Sequence, residues 1–253
     1  MTLPTSIQVQ LNHRTIRKFK EKKLTKETIE LLLNVANRSA TSNGMQNYSI
    51  IIVDDPFKRE EISQVCKQEH VKQAPFFMIF VVDTHRNNAI TNEVGVDLEA
   101  FKDMDRFFQG FTDAVISAQS MVDAAESLGL GTNYFGSILN DAEKIIEILE
   151  LPKLTMPVVG LGIGYPNQEP MLKPRIPIQH KVFYNTYKKE SNYSEAFIEY
   201  DKALEKYYDL RDLTKPVGKF SDQLVSKHKV VNEKRVRIAQ VIEKQGFDLK
   251  LDK

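Results

Sequence analysis

The sequence predicts an α+β domain with a helical C-terminal extension, and three observations carry that reading. The runs Pro75-Phe-Phe-Met-Ile-Phe-Val-Val82 and Met156–Ile163 are apolar at alternate positions of both parities, as in strands covered by helices on each side. Residues 97–128 repeat apolar side chains at helical spacing: Phe111, Val115, Ala118, Val122 and Ala125 form one stripe, which Ala114, Met121 and Leu128 widen. Strands and helices do not alternate cleanly, which argues against a doubly wound parallel sheet. Of 253 residues, 42% are hydrophobic and 27% charged, enough apolar mass for a packed core. With 11 glycines and 10 prolines, breakers are few and the elements should be long.

In chain order, Thr25 reads as an N-cap, since its hydroxyl can accept from the first turn, and Ile29, Leu32, Leu33 and Ala36 follow at helical spacing to about Asn37–Arg38. Ser39-Ala-Thr-Ser-Asn-Gly-Met-Gln46 fits neither period and is a loop before the strand Tyr48–Val53, which Asp54-Asp-Pro56 ends. A charged helix, Pro56–Cys66, leads through the polar stretch Lys67-Gln68-Glu69-His70 to the first buried strand. Gly129 and Gly131 end the long helix, Thr132–Phe135 is a short strand, Asp141–Leu149 a helix and Met156–Ile163 the second buried strand. Residues 166–177 form a proline-rich loop, and Tyr184–Lys253 is charged and helical apart from breakers at Leu213–Lys219. We divide the chain into a core, residues 1–185, and an extension, 186–253, belonging to the same domain.

A near-even balance of 35 Lys+Arg against 34 Asp+Glu gives no sign of a nucleic-acid or acidic-membrane partner. Cys66 is the lone cysteine, no run reaches the roughly 20 apolar residues of a membrane span, and the first residues lack a basic-then-apolar leader, so a reducing, cytoplasmic location is expected. No nucleophile elbow, zinc-protease motif, paired-cysteine motif or P-loop is present, and the five histidines lack metal-ligand spacing. Gly160-Leu-Gly-Ile-Gly164 has the wrong spacing for a dinucleotide fingerprint and leads into prolines rather than a helix, so close strand packing explains it better.

Cationic and polar residues beside buried elements remain. Arg14 and Arg17, three apart in His13-Arg14-Thr15-Ile16-Arg17, suit bidentate phosphate binding, although on the pentapeptide alone a solvated basic patch is the better reading. Lys173-Pro-Arg175 is a second pair, and Thr41, Ser42, Asn43, Gln46 and Gln68 supply uncharged donors and acceptors.

Together, His13–Phe19, the Ser39–Gln46 loop, Gln68, Ala124–Gly131 with Tyr134-Phe-Gly-Ser137, and Val158–Pro166 with Leu172–Pro177 resemble the FMN-dependent nitroreductase family. The resemblance spans nearly the whole chain and is nearest the branch of NADPH-dependent oxygen-insensitive nitroreductases and flavin reductases. It implies a central, mostly antiparallel sheet flanked by helices, in a homodimer wrapped by the extensions, with FMN at each of two interface sites. His13, Arg14 and Arg17 would hold the phosphate and ribityl end with Lys173 and Arg175, Thr15 adding a hydroxyl. Thr41 and Gln68 would meet the ring system or ribityl chain, and Tyr134, Phe135, Gly136 and Ser137 would lie along the isoalloxazine. Lys173 is the candidate for stabilising the anionic reduced flavin, and Arg211 for the 2′-phosphate of NADPH, with NADH use left open. Apolar positions of the extension, Phe197, Tyr200, Leu204 and Tyr207, would cover a partner subunit. The implied reaction is ping-pong hydride transfer from a reduced nicotinamide, through flavin, to nitroaromatics, quinones or free flavins. The alternative is a flavin-binding protein for storage, sensing or delivery.

Overall fold

The computed structural model describes residues 4–209 and 212–250. They form two compact units: one comprises residues up to 168 together with those from 232 onward, the other residues 169–231. The expected boundary at residue 185 therefore falls inside the second unit, and the last part of the expected extension returns to the first.

The first unit is built on four strands, β1 (Tyr48–Ile52), β2 (Phe76–Asp83), β3 (Gly131–Phe135) and β4 (Thr155–Gly164), in the order β1-β2-β4-β3. All neighbours are antiparallel. Every residue of β2 is buried, because its two parities serve two cores. Phe76, Met78, Phe80 and Val82 face one cluster with Leu161 and Ile163 of β4, whereas Phe77, Ile79 and Val81 face the other with Phe135. That alternation is what the doubly apolar run required.

The first cluster is covered by α2 (Lys26–Asn37) and α6 (Met104–Ser127), the second by α3 (Pro56–Cys66), α4 (His70–Gln73) and α7 (Ala142–Ile148). The Thr25 hydroxyl accepts from Thr28 N at 3.2 Å, capping α2 as its sequence implied. The glycines of β4 are packing residues. A Cβ at Gly160 or Gly162 would press on Phe135, and one at Gly164 would stand 2.6 Å from Pro75 Cδ. Gly129 ends α6 in the left-handed conformation, φ +74°, but Gly131 instead opens β3.

Two short helices, α1 (Thr5–Leu11) and α5 (His85–Glu93), were not among the expected elements; neither buries a residue in the single chain. The α6 stripe is also corrected. Ala114, Ala118, Met121, Val122 and Ala125 are buried, yet Phe111, Val115 and Leu128 are exposed, Phe111 at 38% and Val115 at 42%. With Phe108 and Ile116, also exposed, two of these leave a second apolar face on α6 that the single chain does not cover.

The second unit contains α8 (Tyr193–Ala196), α9 (Ile198–Leu204) and α10 (Phe220–His228). Tyr200, Leu204 and Tyr207, expected to await a partner, are already buried in the single chain. Phe197 stacks on Phe220 at 6.0 Å and Tyr200 meets Phe220 edge-on at 5.4 Å, an aromatic cluster that gives this charged segment a core of its own. The chain then returns to the first unit through α11 (Glu233–Val236) and α12 (Ile238–Lys244). No helix among the described residues is long and apolar enough to cross a membrane.

Candidate functional site

The segment before the first core helix lies on the edge of β3. Ile16 N donates to Thr132 O at 2.8 Å and the Ile16 side chain is buried, so Thr15 and Arg17 flank a fixed anchor. Gly131 makes the anchorage possible: a Cβ there would stand 2.6–2.9 Å from three Ile16 side-chain atoms. His13 Nδ1 meets Glu126 Oε1 at 2.8 Å, and the Thr132 hydroxyl donates to the same oxygen at 2.5 Å. One carboxylate near the end of α6 thereby ties the segment to β3. Arg14 Nη1 donates to Asn12 O at 2.9 Å. The cavity beside His13, about 260 Å³, is lined by Gln10, Gln119, Asp123 and Glu126, so carboxylates face the imidazole there.

Tyr134 points its hydroxyl at Gln119 Oε1, 3.3 Å away; burial, then the charges of Asp123 and Glu126, push its ionisation far up, leaving a neutral donor. Phe135 is buried against Phe77 and His70, with ring centroids at 5.4 and 5.2 Å, so only its backbone can meet a ligand. Gly136 opens onto free space where a Cβ would stand, and its carbonyl accepts from Arg235 Nη1 at 3.1 Å. Arg235, from α11, also reaches Asn140 Oδ1 at 3.2 Å. Nothing in the charged sequence around Arg235 marked it as a support for this turn. Ser137 lies beside the Cys66 thiol, whose ionisation burial pushes up. Gln68 follows the left-handed Lys67; its N–H donates to Ser63 O at 3.2 Å and its carbonyl accepts from the Ser63 hydroxyl at 3.1 Å, fixing its backbone.

Thr41 opens a strained loop. Asn43 and Gln46, both at φ +52°, and Gly44, at φ +70°, are left-handed; for non-glycine residues each such conformation costs on the order of 1 kcal/mol or more. Asp113 of α6, fully buried, offsets that strain by accepting from Ser42 N at 2.8 Å and Asn47 N at 3.2 Å. Gly110 lets the loop's end pass close to α6, since a Cβ there would lie 2.4 Å from Asn47 O.

Lys173 and Arg175 belong to the second unit, where Arg175 lies near Tyr200 and opposes the upward shift that burial gives the Tyr200 hydroxyl. Arg211 lies outside the described residues. The structure thus brings His13, Thr15, Arg17 and Tyr134 together around β3 and anchors Thr41 through its loop on α6.

This arrangement offers guanidinium donors beside an anchored edge, an open backbone turn and hydroxyl and amide groups on ordered loops, but no nucleophile paired with a base. It can hold a flat, anionic cofactor that does the chemistry itself. Comparison with known proteins agrees: the family described as "Nitroreductase family" matches residues 11–165, and its C-terminal domain matches 173–250. The chain belongs to the nitroreductase family. A Bacillus subtilis relative named FMN reductase (NADPH) is 34% identical, covering 96% of this chain and 98% of its own length. A solved nitroreductase from Bacillus subtilis superposes with a TM-score of 0.88 at 34% identity, covering 96% of this chain and 98% of that one. The NADPH:FMN oxidoreductase of Vibrio harveyi, solved in complex with NAD+, gives 0.83 at 29% identity, covering 96% and 98%. This nitroreductase therefore has the expected fold: an antiparallel sheet flanked by helices, with a helical C-terminal region.

Proposed function

We propose that this nitroreductase binds FMN along the β3 edge, the Gly136 turn and the 41–46 loop, and uses it to pass two electrons from NADPH to small aromatic acceptors. It is an oxidoreductase, with FMN as cofactor and NADPH as reductant. The observation that carries the site is the anchored Ile16, which sets Thr15 and Arg17 beside β3 while Gly136 leaves its backbone open. Bound FMN supplies the redox chemistry by accepting hydride from a reduced nicotinamide and yielding electrons to an acceptor.

The chain's own residues bind and orient. Arg14 and Arg17 would neutralise the phosphate and Thr15 would add a hydroxyl, and the family resemblance names Lys173 and Arg175 as further cations for that group. Backbone N–H groups at 135–137 would serve the ring edge, since Gly136 leaves open space where a Cβ would stand. Thr41 and Gln68 donate or accept along the ring or ribityl chain, and Arg211 selects the 2′-phosphate of NADPH. Nitroaromatics, quinones and free flavins are the acceptor class, taken after the oxidised nicotinamide leaves, and whether NADH also serves is read from the reduction experiment below. The uncovered apolar face of α6, Phe108, Phe111, Val115 and Ile116, supports a homodimer, and the single buried cysteine suits the cytoplasm.

The test is the visible spectrum of the purified protein, followed anaerobically as NADPH and then NADH are added. Rapid bleaching of a flavin spectrum is expected; a flavin that stays oxidised would favour storage or delivery, and a colourless protein that FMN cannot reconstitute would overturn the site. Arg17→Ala should weaken FMN retention about 10- to 100-fold, the loss of charged hydrogen bonds worth about 1.5–3 kcal/mol.

A further inference from the structure

We infer that Arg86 and Asn87, in the first turn of α5, are positioning residues that clamp the 41–46 loop in the shape that presents Thr41 to the flavin. The inference rests on the flavin reading above. Helix α5 buries none of its residues, so its place in the fold is not explained by core packing. Its first turn instead donates to the loop's far end. Asn87 Nδ2 reaches Met45 O at 2.8 Å and Asn47 Oδ1 at 2.7 Å. Arg86 donates from Nη2 to Gln46 O and from Nη1 to Tyr48 O, the latter at 3.3 Å. The carbonyls of residues 45, 46 and 48 are thus held by one helical turn.

Arg86 is itself oriented. Its backbone N donates to Asp83 Oδ1 at 3.0 Å, and Asp83 Oδ2, 3.8 Å from Arg86 Nη1, accepts from the Ser49 hydroxyl at 2.5 Å. The clamp therefore works opposite Asp113, which takes N–H groups while Arg86 and Asn87 supply donors to carbonyls. Left-handed residues at 43, 44 and 46 sit between these holds, where an unclamped chain would relax toward ordinary backbone and carry Thr41 with it. Asp83 is the last residue of β2, so the loop's shape is referred to the buried central strand rather than to solvent.

The experiment compares wild type with Arg86→Ala/Asn87→Ala by amide hydrogen exchange across residues 42–48 and by FMN affinity from quenching of flavin fluorescence. Exchange there should accelerate at least tenfold and FMN binding weaken about tenfold, with exchange in β2 unchanged and Arg86→Lys recovering part of both effects. Unchanged exchange in the loop would overturn the clamp. Faster exchange with unaltered FMN affinity would overturn its role toward the flavin. If wild type itself takes no FMN, the functional reading fails, and loop exchange alone then decides whether the clamp exists. Should the double variant fold poorly, Asn87→Ala alone carries the same measurements, since it removes the bonds to Met45 O and Asn47 Oδ1 from a partly exposed position.

Discussion

Two segments approach the proposed flavin in opposite ways. Residues 13–17 are unstrained and held chiefly by packing: none has positive φ, Ile16 is buried over Gly131, the backbone bridges to β3, and the contact of His13 with Glu126 adds one polar tie. Residues 41–46 are held by charge and hydrogen bonds, with three left-handed residues between Asp113 on one side and Arg86 and Asn87 on the other. An unstrained segment can rest mainly on space and apolar contact, whereas a strained one needs donors and acceptors that make the strain the lowest available state. Steric insertion should therefore cost the first more than removal of a polar group does, and removal of a polar group should cost the second most.

The largest effect is expected at Asp113. Truncating this buried carboxylate leaves Ser42 N and Asn47 N without their acceptor, and Asp113→Ala should cost about 3 kcal/mol in urea unfolding. Asp113→Asn keeps one carbonyl acceptor and should cost about half as much. An equal loss in both variants would mean that charge, not acceptor number, holds the loop. Gly131→Ala comes next. Its Cβ must displace Ile16, costing about 1–3 kcal/mol, and FMN content after gel filtration should fall with it. Wild-type stability in this variant would show that the anchor is looser than its packing implies. Glu126→Gln retains an oxygen for Thr132 but no longer carries the charge that faces His13, so it should cost about 1 kcal/mol and loosen exchange at residues 13–17 without touching 42–47.

The same contrast governs what the sequence disclosed. Apolar alternation exposed both faces of β2, and the hydroxyl of Thr25 marked the start of α2, because burial and capping leave residue types at fixed spacing. The glycines of β4 were legible as packing residues once their spacing failed the dinucleotide pattern. The left-handed Asn43 and Gln46, the clamp from α5 and the support of Gly136 by Arg235 left no such mark. Each depends on a polar side chain reaching across tens of residues, and a solvated arginine reads identically. The α6 stripe misled for a related reason: periodicity reports that a face is apolar, not whether the same chain covers it, and Phe111 and Val115 point outward.

The smallest effect is expected at Cys66, behind Ser137 on the packed side. Burial raises its ionisation, so the folded state holds the thiol proton more tightly than the unfolded chain, whose value is about 8.5. The resulting stabilisation is complete below that unfolded value and is lost as pH rises through the folded one. Stability should thus be flat in this group from neutrality to about pH 8 and decline above it by a fraction of a kcal/mol per pH unit. Iodoacetamide at pH 8 should label Cys66 only slowly until urea unfolds the protein, and FMN should leave that rate unchanged, because packing rather than ligand closes this side. Fast labelling without denaturant, or protection by FMN, would place Cys66 on a segment that opens with the site and would remove the distinction between the packed and the clamped side.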